Sequence, residues 1–146
     1  MIHELADVED QESIDDSTTI WRFTHIQRGA KIGKDVMIGQ GCFVQEGAVI
    51  GDRVRIQNNV SVYSGVTLGD DCFIGPSVVF TNDRRPVPGI RKEVYDKTVV
   101  GKGVVIGANA TLVCPVAIGE HSFIGAGSVV THDVESHGYV MGSPAR

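Results

Sequence analysis

The sequence predicts an all-β chain wound as a parallel β-helix of about six triangular coils, with one long loop inserted. Three observations carry this. An apolar residue stands at every sixth position, glycine recurs with a period of 18, and the pattern breaks once, after Phe80.

The six-residue step runs Ile14, Ile20, Ile26, Ile32, Ile38, Val44, Ile50, Ile56, Val62, Leu68, Ile74 and Phe80. It resumes at Val100 and continues through Ile106, Leu112, Ile118, Ile124 and Val130. All 18 positions are apolar in a chain that is 42% apolar, a coincidence on the order of 10⁻⁷. Four residues further on, nearly every step carries a small residue or Val. A period of six fits neither a helix nor a hairpin strand. It fits a short strand, a turn, and a repeat, with the large and the small residue both facing inward.

Glycine sets the number of strands per coil. It follows the aliphatic at 33, 51, 69, 101 and 119, and at 39, 75, 107 and 125. In the third phase it never does: Gln27, Gln45, Tyr63, Thr81, Val113 and Thr131 stand there. Three unequal faces per 18 residues describe a triangular prism. Two of its corners are expected to use glycine for positive φ or close approach, and one is not.

Residues 1–13 are expected to be an acidic cap, since residues 1–16 hold seven acids and no Lys or Arg. Residues 14–135 form the β-helix. The loop, 83–98, inserts about 14 residues, with prolines and charges that place it at the surface. Residues 136–146 form a C-terminal tail.

Composition narrows the function. The length of 146 residues suits one domain. The net charge of −5 without a dense basic stripe argues against nucleic acid. No apolar run is long enough to span a membrane, and the N-terminus does not read as a secretory signal. Cys42, Cys72 and Cys114 lack disulfide or zinc spacing, so a reducing cytoplasm and no metal are expected.

Function is expected where the pattern fails. Asn82 ends the last regular strand before the loop, and its amide can both donate and accept. A rigid place of this kind suits a group that must be positioned closely. A loop of this length can also reach across to a neighbouring rod.

The repeats, [Ile/Val/Leu]-Gly-x-x-[small]-x over residues 14–146, resemble those of the hexapeptide-repeat acyltransferase superfamily. The resemblance implies a left-handed coil, a homotrimer and an active site in the cleft between subunits. Three further stretches are Trp21-Arg22-Phe23-Thr24-His25-Ile26, Ile56-Gln57-Asn58-Asn59-Val60-Ser61-Val62-Tyr63 and Phe80-Thr81-Asn82-Asp83-Arg84. They are similar to the branch of N-acetyltransferases acting on nucleotide-linked (UDP or dTDP) 3-amino sugars for cell-surface polysaccharide, including lipopolysaccharide. That resemblance implies acetyl-CoA as co-substrate and Asn82 as the group orienting amine or thioester. His25 either acts as a base or has a structural or sugar-binding place. Arg22, Arg28, Asn58, Asn59, Tyr63, Arg84 and Arg85 are candidates to hold the sugar nucleotide. Gly107, Ala108, Gly125 and Ala126, with Pro144 and Arg146 of Gly142-Ser143-Pro144-Ala145-Arg146, are candidates to hold CoA. Many relatives continue into a terminal helix, so a shortened tail is expected here.

Three other readings compete. One is a metal enzyme resembling the γ-type carbonic anhydrases, which needs three converging histidines. The others are an O-acetyltransferase of a small acceptor and a non-catalytic assembly subunit.

Overall fold

The computed structural model describes residues 1–146. Short strands, mostly of two residues, stack in three parallel sheets. Face 1 holds seven strands, from Thr19–Ile20 to Tyr139–Val140. Face 2 also holds seven, from Asp7–Val8 to Val129–Val130. Face 3 holds five, from Lys31–Ile32 to Val116–Ile118. The register follows the 18-residue step, as in His25↔Phe43↔Ser61 and Met37↔Arg55↔Phe73.

The solenoid has about seven turns rather than six. The extra one comes from the acidic segment. Ile2 bridges Ile20, and Asp7–Val8 pairs with His25–Ile26. Val8 is buried in the core. Residues 1–13 therefore wind as a first coil that covers the end of the stack. At the other end the last coil is two residues shorter, and Val134 and Val140 take the inward places beside Ile118 and Ile124.

The aliphatic row lines the interior, and one contiguous cluster of 29 buried residues runs the length of the rod. No coil has a core of its own, so stability is shared between neighbours. Each buried aliphatic contributes about 1.5–3 kcal/mol. The small inward residues are often polar. Thr24 Oγ1 donates to Gly39 O at 2.7 Å, and the Cys72 thiol to Gly101 O at 3.1 Å. The three cysteines are buried and free.

The glycines after the aliphatics serve close approach, not positive φ. A Cβ at Gly69 would lie 2.7 Å from Lys102 N and 2.8 Å from Gly101 C on the next coil. The left-handed positions fall two residues later, and side chains occupy most of them: Asp35, Arg53, Asp71, His121 and His137 on the corner between faces 3 and 1, Phe23, Asn59, Ser77 and Asn109 on the corner between faces 1 and 2. The third corner also uses glycine. Gly29, Gly47 and Gly65 have φ between 81° and 94° there.

Regular structure stops at Phe80 and resumes at Thr98, so the arm occupies 81–97, within a residue or two of the expected loop. It leaves face 2 and returns onto face 3.

Candidate functional site

The arm is tied at its root. Asp96 N–H donates to Asn82 O at 3.0 Å, and Arg84 N–H donates to Asp96 Oδ2 at 3.1 Å. Lys92 Nζ then bridges Asp96 Oδ2 at 3.1 Å and Asp83 Oδ1 at 3.3 Å. The Arg84 N–H, and after it Lys92, hold the Asp96 carboxyl below its ordinary range. Asp96, and after it Asp83, hold the Lys92 ammonium protonated above its usual range. This closure fixes the backbone of Asn82 at the mouth of the arm, with its side chain half-buried. Beneath it, Thr81 Oγ1 donates to Leu112 O at 3.2 Å and accepts the Cys114 N–H at 2.9 Å. Burial pushes the Cys114 thiol up.

A cavity of about 360 Å³ opens within the arm, lined by Asp83, Arg84, Arg85, Val87, Ile90, Lys92 and Asp96. Arg84 Nη1 donates to Cys114 O at 3.3 Å, which turns one of the two candidate arginines back onto the rod. Arg85 is exposed, and its N–H is held by Asp83 Oδ1 at 3.0 Å. The returning leg passes directly over the corner below, where a Cβ on Gly65 would lie 2.9 Å from Asp96 O.

His25 points outward from face 2 and is 39% exposed at its side chain. Its Nε2 lies 2.9 Å from Glu9 Oε1 and 3.9 Å from Asp7 Oδ2, and its ring packs on Phe43 at 5.4 Å. The Arg28 N–H, donated to Glu9 Oε2 at 2.8 Å, holds the Glu9 carboxyl down, and His25 adds to this. Glu9 is the partner of His25 and Arg28 that the sequence did not single out. The signal was present, because Asp7 lies one 18-residue step before His25 and Glu9 one such step before Gln27.

The structure does not bring His25 to Asn82 within one chain. His25, Phe43, Ser61 and Val79 form successive rungs. Three steps of ~4.8 Å place His25 about 14 Å down the rod from Val79. Arg28 is also occupied, donating to Glu9 O at 2.9 Å with Asp10 at 3.7 Å. Tyr63 packs edge-on against Phe43 at 6.1 Å.

The remaining candidates lie on the corner between faces 1 and 2. Arg22 has its guanidinium 5.7 Å above the Phe23 ring. Arg22 and Asn58 share a cavity of about 450 Å³ with Trp21, Met37, Gly39, Gln40 and Gln57. Asn59 occupies the left-handed turn position at φ 60°. Gly107, Ala108, Gly125 and Ala126 follow on the same corner in the upper coils. Pro144 joins them there. The tail doubles back, with Met141 N–H donating to Arg146 O at 3.1 Å and Ala145 N–H to Val129 O at 2.9 Å. The candidates thus line the two edges of face 2. Arg22, Asn58, Asn59 and the CoA set stand on one edge. Arg28, Tyr63, Asn82, Arg84 and Arg85 stand on the other. No group of three or more His, Cys, Asp or Glu is placed to hold a metal ion. No helix is long and apolar enough to cross a membrane.

The bacterial transferase hexapeptide family (six repeats) matches residues 47–82 and 97–132, and the hexapeptide repeat of succinyl-transferase matches 29–64. No curated protein matches the chain in sequence. Among solved structures, PerB from Caulobacter crescentus, in complex with CoA and GDP-perosamine, is 23% identical at a TM-score of 0.76, over 88% of this chain and 56% of its own. The chain thus spans little more than half the length of that protein. AntD from Bacillus cereus is an N-acyltransferase whose mutant was solved with dTDP-4-amino-4,6-dideoxyglucose and coenzyme A. It is 21% identical at a TM-score of 0.78, over 97% of this chain and 81% of its own. The hexapeptide-repeat containing acetyltransferase of Vibrio cholerae O1 biovar eltor, complexed with acetyl coenzyme A, is 30% identical at a TM-score of 0.69. It aligns over 81% of this chain and 68% of its own. The family gives the coil its left-handed sense, which parallel crossovers alone would not suggest. With the repeat, the coil and this likeness in agreement, the chain belongs to the hexapeptide-repeat acetyltransferases.

Proposed function

We propose that the protein transfers an acetyl group from acetyl-CoA to the amino group of a nucleotide-linked amino sugar. The observation that carries this reading is the tied arm root, which fixes Asn82 beside a cavity holding two arginines. Support comes from the fold shared with PerB and AntD, whose structures hold CoA and a nucleotide-linked amino sugar.

The chemistry asks little of the protein. A sugar amine with a pKa near ~8 is partly neutral at pH 7. Its lone pair attacks the thioester carbonyl carbon, an N–C bond forms, and the C–S bond breaks. The proton leaving nitrogen passes to the departing thiolate, giving the acetamido sugar and CoA. Alignment and charge stabilisation then dominate the rate. Asn82 orients the amine or the thioester. Arg84 and Arg85 attract the diphosphate or a sugar carboxylate, and Arg22, Asn58 and Asn59 hold the nucleotide across face 2. Small residues at Gly107, Ala108, Gly125 and Ala126 leave room for the pantetheine arm, with Pro144 and Arg146 beside it.

The working unit in this reading is a homotrimer with its site between copies. Val87, Ile90 and Val94 on the arm are 56%, 71% and 76% exposed, and a second copy would cover them. The three reduced, buried thiols suit the cytoplasm. The product class belongs to cell-surface polysaccharide, including lipopolysaccharide, biosynthesis.

One observation favours a second reading, O-acetylation. The Glu9 carboxylate steers His25 as it would a general base. A panel of UDP- and dTDP-linked 3-amino and 4-amino sugars, incubated with acetyl-CoA and followed by free thiol, tests the proposal. The mass of the acetylated product shows whether nitrogen or oxygen received the group. Release only with amine-bearing sugars is expected. Release with hydroxyl acceptors alone would overturn N-transfer.

A further inference from the structure

We infer that the cavity on the lower corner between faces 1 and 2 is a nucleobase pocket. This rests on the acceptor being a nucleotide-linked sugar, and it names the part of that acceptor the pocket takes.

The cavity measures about 450 Å³ and is lined by Trp21, Arg22, Met37, Gly39, Gln40, Gln57 and Asn58. Ligand pockets begin at about 300 Å³, so a base with its ribose fits. Its lining differs from that of the other cavities. The arm cavity is mostly charged side chains, and the groove at Gln45, Ser64 and Arg91 sets the Tyr95 ring among four charged residues, Glu46, Arg91, Lys92 and Glu93. Here an indole supplies a flat apolar face. Three carboxamide-bearing residues, Gln40, Gln57 and Asn58, line the cavity with it, and a carboxamide can donate and accept, as the edge of a base requires.

The repeat shows these groups to be anomalous for the scaffold. The position after the inward aliphatic on face 1 is Gly at 39, 75, 107 and 125, but Trp at 21, Gln at 57 and, on the short last coil, Met at 141. Trp21 and Gln57 open into the same cavity. Trp21 is 43% exposed, although the His3 ring stands 6.5 Å from it on the first coil. Packing within the chain therefore does not account for the indole. Asn58 Oδ1 accepts the Gln40 N–H at 3.0 Å, which fixes that carboxamide and leaves its NH₂ as the group that can bind. Gly39 permits the arrangement, because a Cβ there would lie 2.5 Å from Asn58 Oδ1. Arg22 adds a cation at the rim for the attached phosphates. The pocket stands on one edge of face 2, whose other edge carries Asn82.

The chain contains one tryptophan, so its emission reports this pocket alone. The intact protein is titrated with UDP, dTDP and GDP, with CoA, and with pyrophosphate as a base-free control. Saturable quenching by at least one nucleoside diphosphate, and none by pyrophosphate, is expected. A Gln57→Leu variant should bind that nucleotide roughly ten-fold or more weakly, the scale of losing one base partner, with circular dichroism unchanged. Trp21→Leu, followed by equilibrium dialysis, should lose binding to a similar extent. Quenching by CoA alone would overturn the assignment, since the pocket would then serve the donor's adenine. Emission unmoved by every nucleoside diphosphate would also overturn it. If acetyl transfer to nucleotide sugars persists with emission unmoved, the pocket falls and the proposed function stands. If nucleotides quench and no transfer occurs, the pocket stands and the proposed function falls.

Discussion

Replacing Gly75 by Ala tests why glycine marks the corners. The residue is buried and its φ lies outside the left-handed region, so backbone strain plays no part. The added methyl would sit 2.7 Å from Ala108 N and 2.9 Å from both Gly107 C and Ile106 O. All three are backbone atoms of the next coil. Gly75 N–H donates to Ile106 O at 2.8 Å, so the rungs cannot part without loss of the ladder. Overpacking of this kind costs about 1–3 kcal/mol. At ~2–4 °C per kcal/mol for a chain of this size, Tm should fall by roughly 2–12 °C. Ser77→Gly, two residues on at φ 60°, is the control. Relief of left-handed strain there nearly cancels the added chain entropy, so stability should change by less than about 1 kcal/mol. Thermal and urea unfolding followed by circular dichroism measures both. A Gly75→Ala protein as stable as the parent would refute the close-approach account.

Other predictions concern the arm and face 2. Lys92→Met removes the bridge between Asp83 and Asp96, so KM for the sugar nucleotide should rise several-fold while unfolding stays unchanged; Lys92→Arg should restore most of it. Asp96 has a depressed pKa in the folded chain, so its contribution is complete above its ordinary value of 3.8 and is lost as pH falls through the lower folded value. Amide exchange at Arg84, corrected for intrinsic rates, should therefore stay protected at neutral pH and lose protection only below about pH 4. His25→Ala should leave amine acetylation within about ten-fold of the parent in a rate assay with excess acceptor. Abolished turnover would instead make the His25–Glu9 pair the base.

Much of the fold was legible because burial obeys the repeat. Ile20, Ile38, Ile56, Ile74, Ile106 and Ile124 stand on one frame and are all fully buried. The same frame reaches back to Val8 and Ile2, both on the six-residue step. The density of acids around them hid a coil whose inward positions were apolar all along. The short final coil was not legible, because removing two residues at Thr131–Val134 shifts the frame without any change in composition. The glycine period was readable, but its cause was not, since φ and close approach leave the same mark on a sequence.

The candidate site divided along similar lines. Asn82 and the arm were visible as the break in the pattern. The Lys92–Asp83–Asp96 closure was not, because contacts within a loop obey no repeat. Arg28 was singled out as a cation without sign that Glu9 and Asp10 would engage it. Trp21 and Gln57 were within reach, as departures from glycine at a fixed place on face 1.

Steady-state kinetics of Asn82→Ala, with acetyl-CoA and the best amino-sugar nucleotide, addresses the catalytic assignment most directly. Loss of one orienting group should lower kcat by ten-fold or more, with the oligomer unchanged by light scattering. An Asn82→Ala protein that turns over at the parent rate would contradict the account.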